Sequence, residues 1–167
     1  IFLFSSVSDI DTLYSAFNFD VVIYETVGVG QVEMDIMNYS NTVLLVITPE
    51  SGDDIQMMKS GLLECADIIT INKSDRSGAS RLNATLNKLK FSKNGWDVPT
   101  VRTIGLSGEG LKILMSQISK HSSFLSANNI FEKINYQKYL KQIKEIASEK
   151  MLSDFFNLKR MARIDRE

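Results

Sequence analysis

The tetrapeptide Asn72-Lys73-Ser74-Asp75 follows directly on the apolar run Ala66-Asp67-Ile68-Ile69-Thr70-Ile71. Its residue types suit the reading of one purine edge. A carboxylate at position 75 can accept hydrogen bonds from both N1–H and the 2-amino group of guanine. Adenine offers no such pair of donors, and an acceptor built for two donors rejects a base that lacks them. Asp75 is therefore the expected specificity residue. Asn72 is expected to brace the loop and reach toward the base, while the aliphatic stem of Lys73 lies along the ring with its ammonium in water. Short motifs recur by accident on surface loops, so the surroundings must decide.

A second apolar run, Val21-Val22-Ile23-Tyr24, leads into Glu25-Thr26-Val27-Gly28-Val29-Gly30-Gln31. An acidic side chain at the carboxyl end of a strand can hold a water on Mg²⁺. A glycine three residues later lets a backbone N–H approach a γ-phosphate closely. Alone, such a passage is more often a plain turn. Followed by a strand, a helix and then Asn72-Lys73-Ser74-Asp75, it fits a guanine nucleotide site.

In this order the motifs resemble the methylmalonyl-CoA mutase-associated GTPases, the MeaB or ArgK family. The stretch 25–31 is similar to that family's switch II loop, with Glu25 where most GTPases carry Asp. Gly52-Asp53-Asp54-Ile55-Gln56, with Lys59 and Gly61, resembles the additional mobile loop called switch III. Ala66-Asp67-Ile68-Ile69, the guanine motif, Trp96 before Pro99, and Gly108-Glu109-Gly110-Leu111 opening a helix follow in the family's order, and the likeness spans about residues 20–121.

The resemblance implies GTP/GDP and Mg²⁺ as ligands, and a role in delivering cofactor to, and protecting, an adenosylcobalamin-dependent mutase such as methylmalonyl-CoA mutase. It implies that Asn72, Lys73 and Asp75 read guanine while Ile104, Gly105 and Leu106 frame the base. Glu25 would hold a Mg²⁺-bound water, Gly28 would contact the γ-phosphate, and Gln31 is a candidate for ordering the attacking water. Asp53, Gln56 and Lys59 would transmit the nucleotide state to the mutase. A homodimer is implied too, in the cytoplasm of a bacterium or the mitochondrial matrix of a eukaryote.

Composition bounds the alternatives. A chain of 167 residues with 44% hydrophobic and 23% charged residues suits one globular core. A net charge of -1 gives no electrostatic footprint for nucleic acid, and no window is apolar for long enough to span a bilayer. One cysteine, Cys65, excludes an internal disulfide and reads as a packing residue. A nickel-insertion GTPase shares the motif plan, but it should carry His or Cys clusters, and this chain has one of each.

The chain begins at Ile1, and G-x-x-x-x-G-K-[ST] occurs nowhere in it. That loop would cradle the phosphates. The resemblance places it upstream of Ile1, along with switch I and an N-terminal helical extension. The 167 residues are therefore expected to be the C-terminal part of a GTPase, with little or no hydrolysis alone. A non-enzymatic adaptor that keeps only the dimer helices and the mutase-facing loops is the alternative.

The elements that must position these residues form an α/β series, the mostly parallel sheet of a partial P-loop GTPase domain over 1–121. Strands are expected over 20–25, 42–48, 67–72 and 100–104. Helices are expected over 33–38, from 53 or 54 to 66, 77–89 and 111–121, with a loop over 95–99. Continuous Val/Ile/Leu strands imply a sheet covered on both faces, with the ligand loops at the strands' carboxyl ends.

Residues 122–167 read as a helical extension. Asn128 or Asn129 could cap a helix in which Ile130, Ile134, Tyr136, Tyr139, Leu140, Ile143, Ile146 and Ala147 recur at three- and four-residue steps. That apolar face can pack back on its own domain or meet another molecule, and the resemblance favours a dimerisation arm. The family pattern departs at Ile104-Gly105-Leu106, where Ser-Ala is usual, so lower nucleotide affinity is expected. The stretch between Phe4 and Asp20 is also shorter than the family's. His121, the lone histidine, is expected to end a helix, where a cation suits the dipole. Met34, Met37, Met57 and Met58 read as packing residues beside the switch loops.

Overall fold

The computed structural model describes residues 13–14, 16–17, 19–26, 37, 39–49 and 61–155. Strands β1 (Leu44–Ile47), β2 (Ile68–Ile71) and β5 (Thr100–Arg102) form a parallel sheet in the order β1-β2-β5. Leu44 pairs with Ile68, and Ile69 with Thr100. Helices α1 (Leu62–Cys65) and α2 (Ala79–Leu89) supply the connections, and α3 (Leu111–Ala127) and α4 (Ile130–Phe155) follow the sheet. The α/β class and the C-terminal helices expected from the sequence are present.

Every residue of β2 is buried, the outcome of an uninterrupted apolar strand with cover on both faces. Alternation along the strand divides the core in two. Ile69 and Ile71 join Ile47, Leu63, Ala79, Leu82 and Leu86 on one side. Ile68 meets Val101, Leu114 and the flanking Ile118 on the other. Ala79, Leu82 and Leu86 recur at helical spacing on α2, so a single stripe of that helix faces the sheet.

Between α2 and β5 the chain forms a hairpin of β3 (Ser92–Lys93) and β4 (Trp96–Asp97). Only a loop was expected there. Asn94 and Gly95 make the turn at φ 53° and 84°, the Asn-Gly pairing that suits a tight hairpin. The hairpin is pinned to the start of β2 by three contacts. Trp96 Nε1 donates to the Asp67 carbonyl at 2.8 Å, and Lys93 Nζ donates to the Cys65 carbonyl at 2.7 Å. Lys93 Nζ also lies 2.9 Å from Asp67 Oδ1.

Asp67 is buried and is used on several sides. Its Oδ2 accepts from the Val43 N–H at 2.8 Å, and its Oδ1 lies 3.7 Å from His121 Nε2. His121 shares a 2.9 Å hydrogen bond with the Thr42 hydroxyl through Nδ1, and its ring lies among Trp96 and Phe124. The helix expected to end at this histidine continues to Ala127, leaving His121 only 2% exposed. Burial holds its pKa below 6.5; the Asp67 carboxylate opposes the shift and the Lys93 ammonium reinforces it. The ring is thus a neutral packing group, in place of the expected cation at a helix end.

Two further local expectations differ, and two more fall on residues that are not described. Residues 21–26 are irregular, with Val21 74% and Ile23 86% exposed, so the strand expected over 20–25 is absent. Apolar, β-branched residues favour a strand only where a neighbouring strand offers hydrogen bonds and cover. The helix expected over 33–38, apart from Met37, and the part of the next helix before Gly61 lie outside the described residues. Asn128 serves the end of α3, its side chain donating to the Phe124 carbonyl at 2.9 Å, where it had been a candidate cap for the following helix.

An imidazole whose folded pKa lies below 6.5 binds its proton first in the unfolded chain. Its contribution is therefore intact above pH 6.5 and lost as the pH falls toward the folded value. Denaturant unfolding from pH 7.5 to 5.5 should show stability falling with acid, and His121→Asn should flatten that slope. Equal slopes in the two proteins would rule out a depressed His121.

Candidate functional site

Two loops meet at the carboxyl ends of β2 and β5. The first is the turn Asn72-Lys73-Ser74-Asp75. Asn72 N–H donates to the Ile47 carbonyl at 2.8 Å, so the turn starts from the β1 side of the sheet. Asn72 Oδ1 accepts from Gly105 N–H at 3.0 Å and from the Thr103 hydroxyl at 3.3 Å. One side chain thereby ties the end of β2 to the end of β5. Gly105 sits close enough that a Cβ there would touch Asn72 Oδ1 at 3.5 Å, an ordinary contact.

Lys73 has φ 53°, a left-handed conformation that disfavours a residue with a side chain by roughly 1–2 kcal/mol. Its neighbours supply tethers that offset this cost. Arg76 N–H donates to the Lys73 carbonyl at 3.0 Å, and Ser74 N–H donates to the Thr103 carbonyl at 3.1 Å. Arg102 Nη2 donates to the Ser74 carbonyl at 2.8 Å. Ser74 is buried, while Lys73 and Asp75 stand exposed on either side of it. Arg76 Nε lies 3.8 Å from Asp75 Oδ2 with both side chains more than half exposed, so solvent screens that pair. The result is an accessible carboxylate on a turn held from beneath, a form that suits a two-donor purine edge.

The second loop runs from Ile104 to Gly110. Ile104 N–H donates to the Glu109 carbonyl at 3.0 Å and Gly108 N–H to the Ile104 carbonyl at 2.9 Å, closing the loop on itself. Gly105 and Leu106 are exposed at its tip. Gly110 has φ 78° and opens α3 against β5, where an added Cβ would overlap the Arg102 carbonyl oxygen.

Of the residues singled out in the sequence, Asn72, Lys73, Asp75, Ile104, Gly105 and Leu106 are brought together at this end of the sheet. Glu25 lies exposed in the irregular stretch 21–26, and among the described residues no hydrogen bond joins it to the two loops. Gly28, Gln31, Asp53, Gln56 and Lys59 lie outside the described residues. Among the described residues no three His, Cys, Asp or Glu side chains are grouped to hold a metal ion. No helix among them is long and apolar enough to cross a membrane. Thr103 and Arg102, which hold the turn, were missed in the sequence. The one available signal was the placement of polar residues at the end of a strand facing the Asn72 loop.

The sequence profile of the family described as methylmalonyl Co-A mutase-associated GTPase MeaB matches residues 5–160. A Pyrococcus horikoshii protein named "Putative GTPase" is 43% identical over 129 residues, 74% of this chain and 41% of the relative. Escherichia coli GTPase ArgK is 27% identical over 151 residues, 86% of this chain and 46% of the relative. The mouse protein named methylmalonic aciduria type A homolog, mitochondrial, is 34% identical over 100 residues, 56% of this chain and 24% of the relative. The matched region is thus less than half the length of each of these relatives.

Gly110 and Gly108 share φ 78°, but an added Cβ at Gly108 meets only the Leu111 side chain, at 3.9 Å. Gly108→Ala should therefore cost about 1–2 kcal/mol, for backbone strain alone. Gly110→Ala adds overlap with a strand and should cost about 2–4 kcal/mol. Equal losses in denaturant unfolding would show that the close approach of Gly110 to β5 contributes nothing.

Proposed function

The chain belongs to the methylmalonyl Co-A mutase-associated GTPase MeaB family, and from that premise we propose that the protein is a GTP-binding and GTP-hydrolysing chaperone of an adenosylcobalamin-dependent mutase. Methylmalonyl-CoA mutase is the proposed partner, and the nucleotide state gates cofactor delivery and protects the mutase. The observation that supports this most directly is the pair of hydrogen bonds from Thr103 and Gly105 to Asn72 Oδ1, which steadies the turn bearing Asp75.

In this reading Asp75 accepts from N1–H and the 2-amino group of guanine, and the Lys73 stem covers the ring. The Gly105 amide is committed to Asn72, which leaves the Leu106 amide to meet the guanine carbonyl oxygen. Ile104 closes the base of that loop through its backbone bonds with Glu109 and Gly108. Glu25 would hold Mg²⁺ through a water, Gly28 would approach the γ-phosphate and Gln31 would orient the attacking water. Bound Mg²⁺ neutralises charge on the phosphates. Asp53, Gln56 and Lys59 would carry the nucleotide state to the mutase. Hydrolysis also needs a phosphate-binding loop, which none of these 167 residues supplies.

The homodimer would form through α4. Its Lys141 and Glu145 face Tyr39: the Tyr39 hydroxyl donates to the Glu145 carboxylate at 3.2 Å, and Lys141 Nζ lies 4.9 Å from the ring centre. Tyr136, Tyr139, Ile143 and Ile146 occupy the opposite side, exposed, at the 3-4-3 spacing of a helix–helix seam. No residue of α4 is buried within the chain.

Asp75→Asn replaces an acceptor by an amide able to donate, which suits the 2-carbonyl of xanthine. In the whole gene product, GDP affinity should fall about 10- to 100-fold, from loss of charge-assisted bonds, while XDP affinity rises. Calorimetric titration with the mutase should then respond to GTP for the wild type and to XTP for the variant. Mutase binding indifferent to either nucleotide would end the partner reading, and an unchanged base preference would end the guanine reading.

For the arm, Tyr139→Glu with Ile143→Glu should halve the mass seen by light scattering and remove the dependence of the unfolding midpoint on protein concentration. A dimer that survives both changes would place the interface elsewhere.

A further inference from the structure

We infer that Arg102 is a positioning residue for guanine selectivity, acting through the Ser74–Asp75 peptide. The inference rests on the reading of Asn72–Asp75 as the guanine loop. Arg102 is exposed at the end of β5, between buried Val101 and Thr103. Its neighbours point into the protein and hold the strand, so the fold does not require a long cation at 102. The guanidinium is nevertheless engaged, with Nη2 donating to the Ser74 carbonyl at 2.8 Å.

That carbonyl belongs to the peptide whose nitrogen is the amide of Asp75. Fixing the oxygen fixes the peptide plane, and with it the position from which the Asp75 side chain departs. The turn needs such a restraint because Lys73 holds a left-handed conformation. Ser74 N–H is anchored to the Thr103 carbonyl by backbone alone, leaving the far side of Ser74 to a side chain. Arg76 engages Asp75 in another way, through a 3.8 Å solvent-exposed contact with its carboxylate.

The origin of the restraint is rigid. Arg102 pairs with Ile71 in the sheet, and Gly110 packs against its carbonyl from the other loop. A charged donor on a fixed strand gives a stronger and better-directed bond than a neutral one. The planar fork of arginine also loses less freedom per bond than a lysine ammonium would. The guanidinium therefore transfers the rigidity of β5 to the one carboxylate expected to distinguish guanine from hypoxanthine, which lacks the 2-amino group.

The test compares GDP with IDP affinity in the whole gene product, for wild type, Arg102→Met, Arg102→Lys and Asp75→Asn, with thermal unfolding of each. Arg102→Met should lower the unfolding midpoint only slightly and lower the GDP/IDP affinity ratio about tenfold; Arg102→Lys should recover part of that ratio and serves if the Met variant fails to fold. A merely structural role would weaken GDP and IDP alike, leaving the ratio at the wild-type value, and that result overturns the inference. If Asp75→Asn collapses the ratio while both Arg102 variants keep it, the guanine reading stands and the role of Arg102 falls. If Asp75→Asn leaves the ratio intact, the guanine reading fails and takes this inference with it.

Discussion

A carboxylate removed from water must be met by donors on every side, and Asp67 imposes that requirement at the start of the central strand. Its partners come from three separate places: the Val43 amide at the approach to β1, the Lys93 ammonium of the hairpin, and, more distantly, His121 of α3. Desolvating such a pair offsets much of its attraction, so it is weak evidence of net stability. Its geometric effect is larger. An acceptor that leaves few alternatives for its donors fixes the register in which the hairpin and α3 settle against the sheet, and the Trp96 indole adds a bond to the Asp67 carbonyl.

With one end of β2 fixed in this way, the opposite end is free to carry chemistry. There the polar contacts have another character. Asn72 is half-buried, its donors are neutral, and Lys73, Asp75, Gly105 and Leu106 remain exposed. Rigidity reaches these exposed groups by short covalent paths from buried ones: Asp75 from Ser74, and Gly105 from Thr103. A ligand loop of this kind needs a stiff foundation and an open surface, and four all-buried residues of β2 followed at once by a turn supply both.

The legible part of the fold was the part governed by local pattern. Continuous apolar runs gave β1 and β2 to within a residue or two, and the alternating α/β order placed β5 and α2. The guanine tetrapeptide gave the place where two loops would converge. The hairpin was equally local, since Asn94-Gly95 between short segments is a strong turn signal, but its strands are only two residues long and carry no apolar run to mark them. His121 was illegible for a different reason. A histidine near the end of an apolar helix reads alike whether it faces water or Asp67, and only the packing of Trp96 and Phe124 around it decides. Arg102 was hidden in the same manner, as an exposed cation on a strand until its partner carbonyl is known.

The stretch 20–25 shows the limit of pattern most sharply. Val21, Val22, Ile23 and Tyr24 are all residue types that favour strands, as those of β2 are, yet the segment is irregular and exposes two of its apolar side chains. Composition sets how much a residue gains from a pleated, covered surface; it does not supply that surface. Ile68 to Ile71 have β1 on one edge, β5 on the other and helices across both faces, so every residue realises its propensity. A strand is thus a property of at least two segments. The same reasoning applies to Asp75, whose chemistry is written in one tetrapeptide while its orientation depends on Thr103 and Arg102 of another strand.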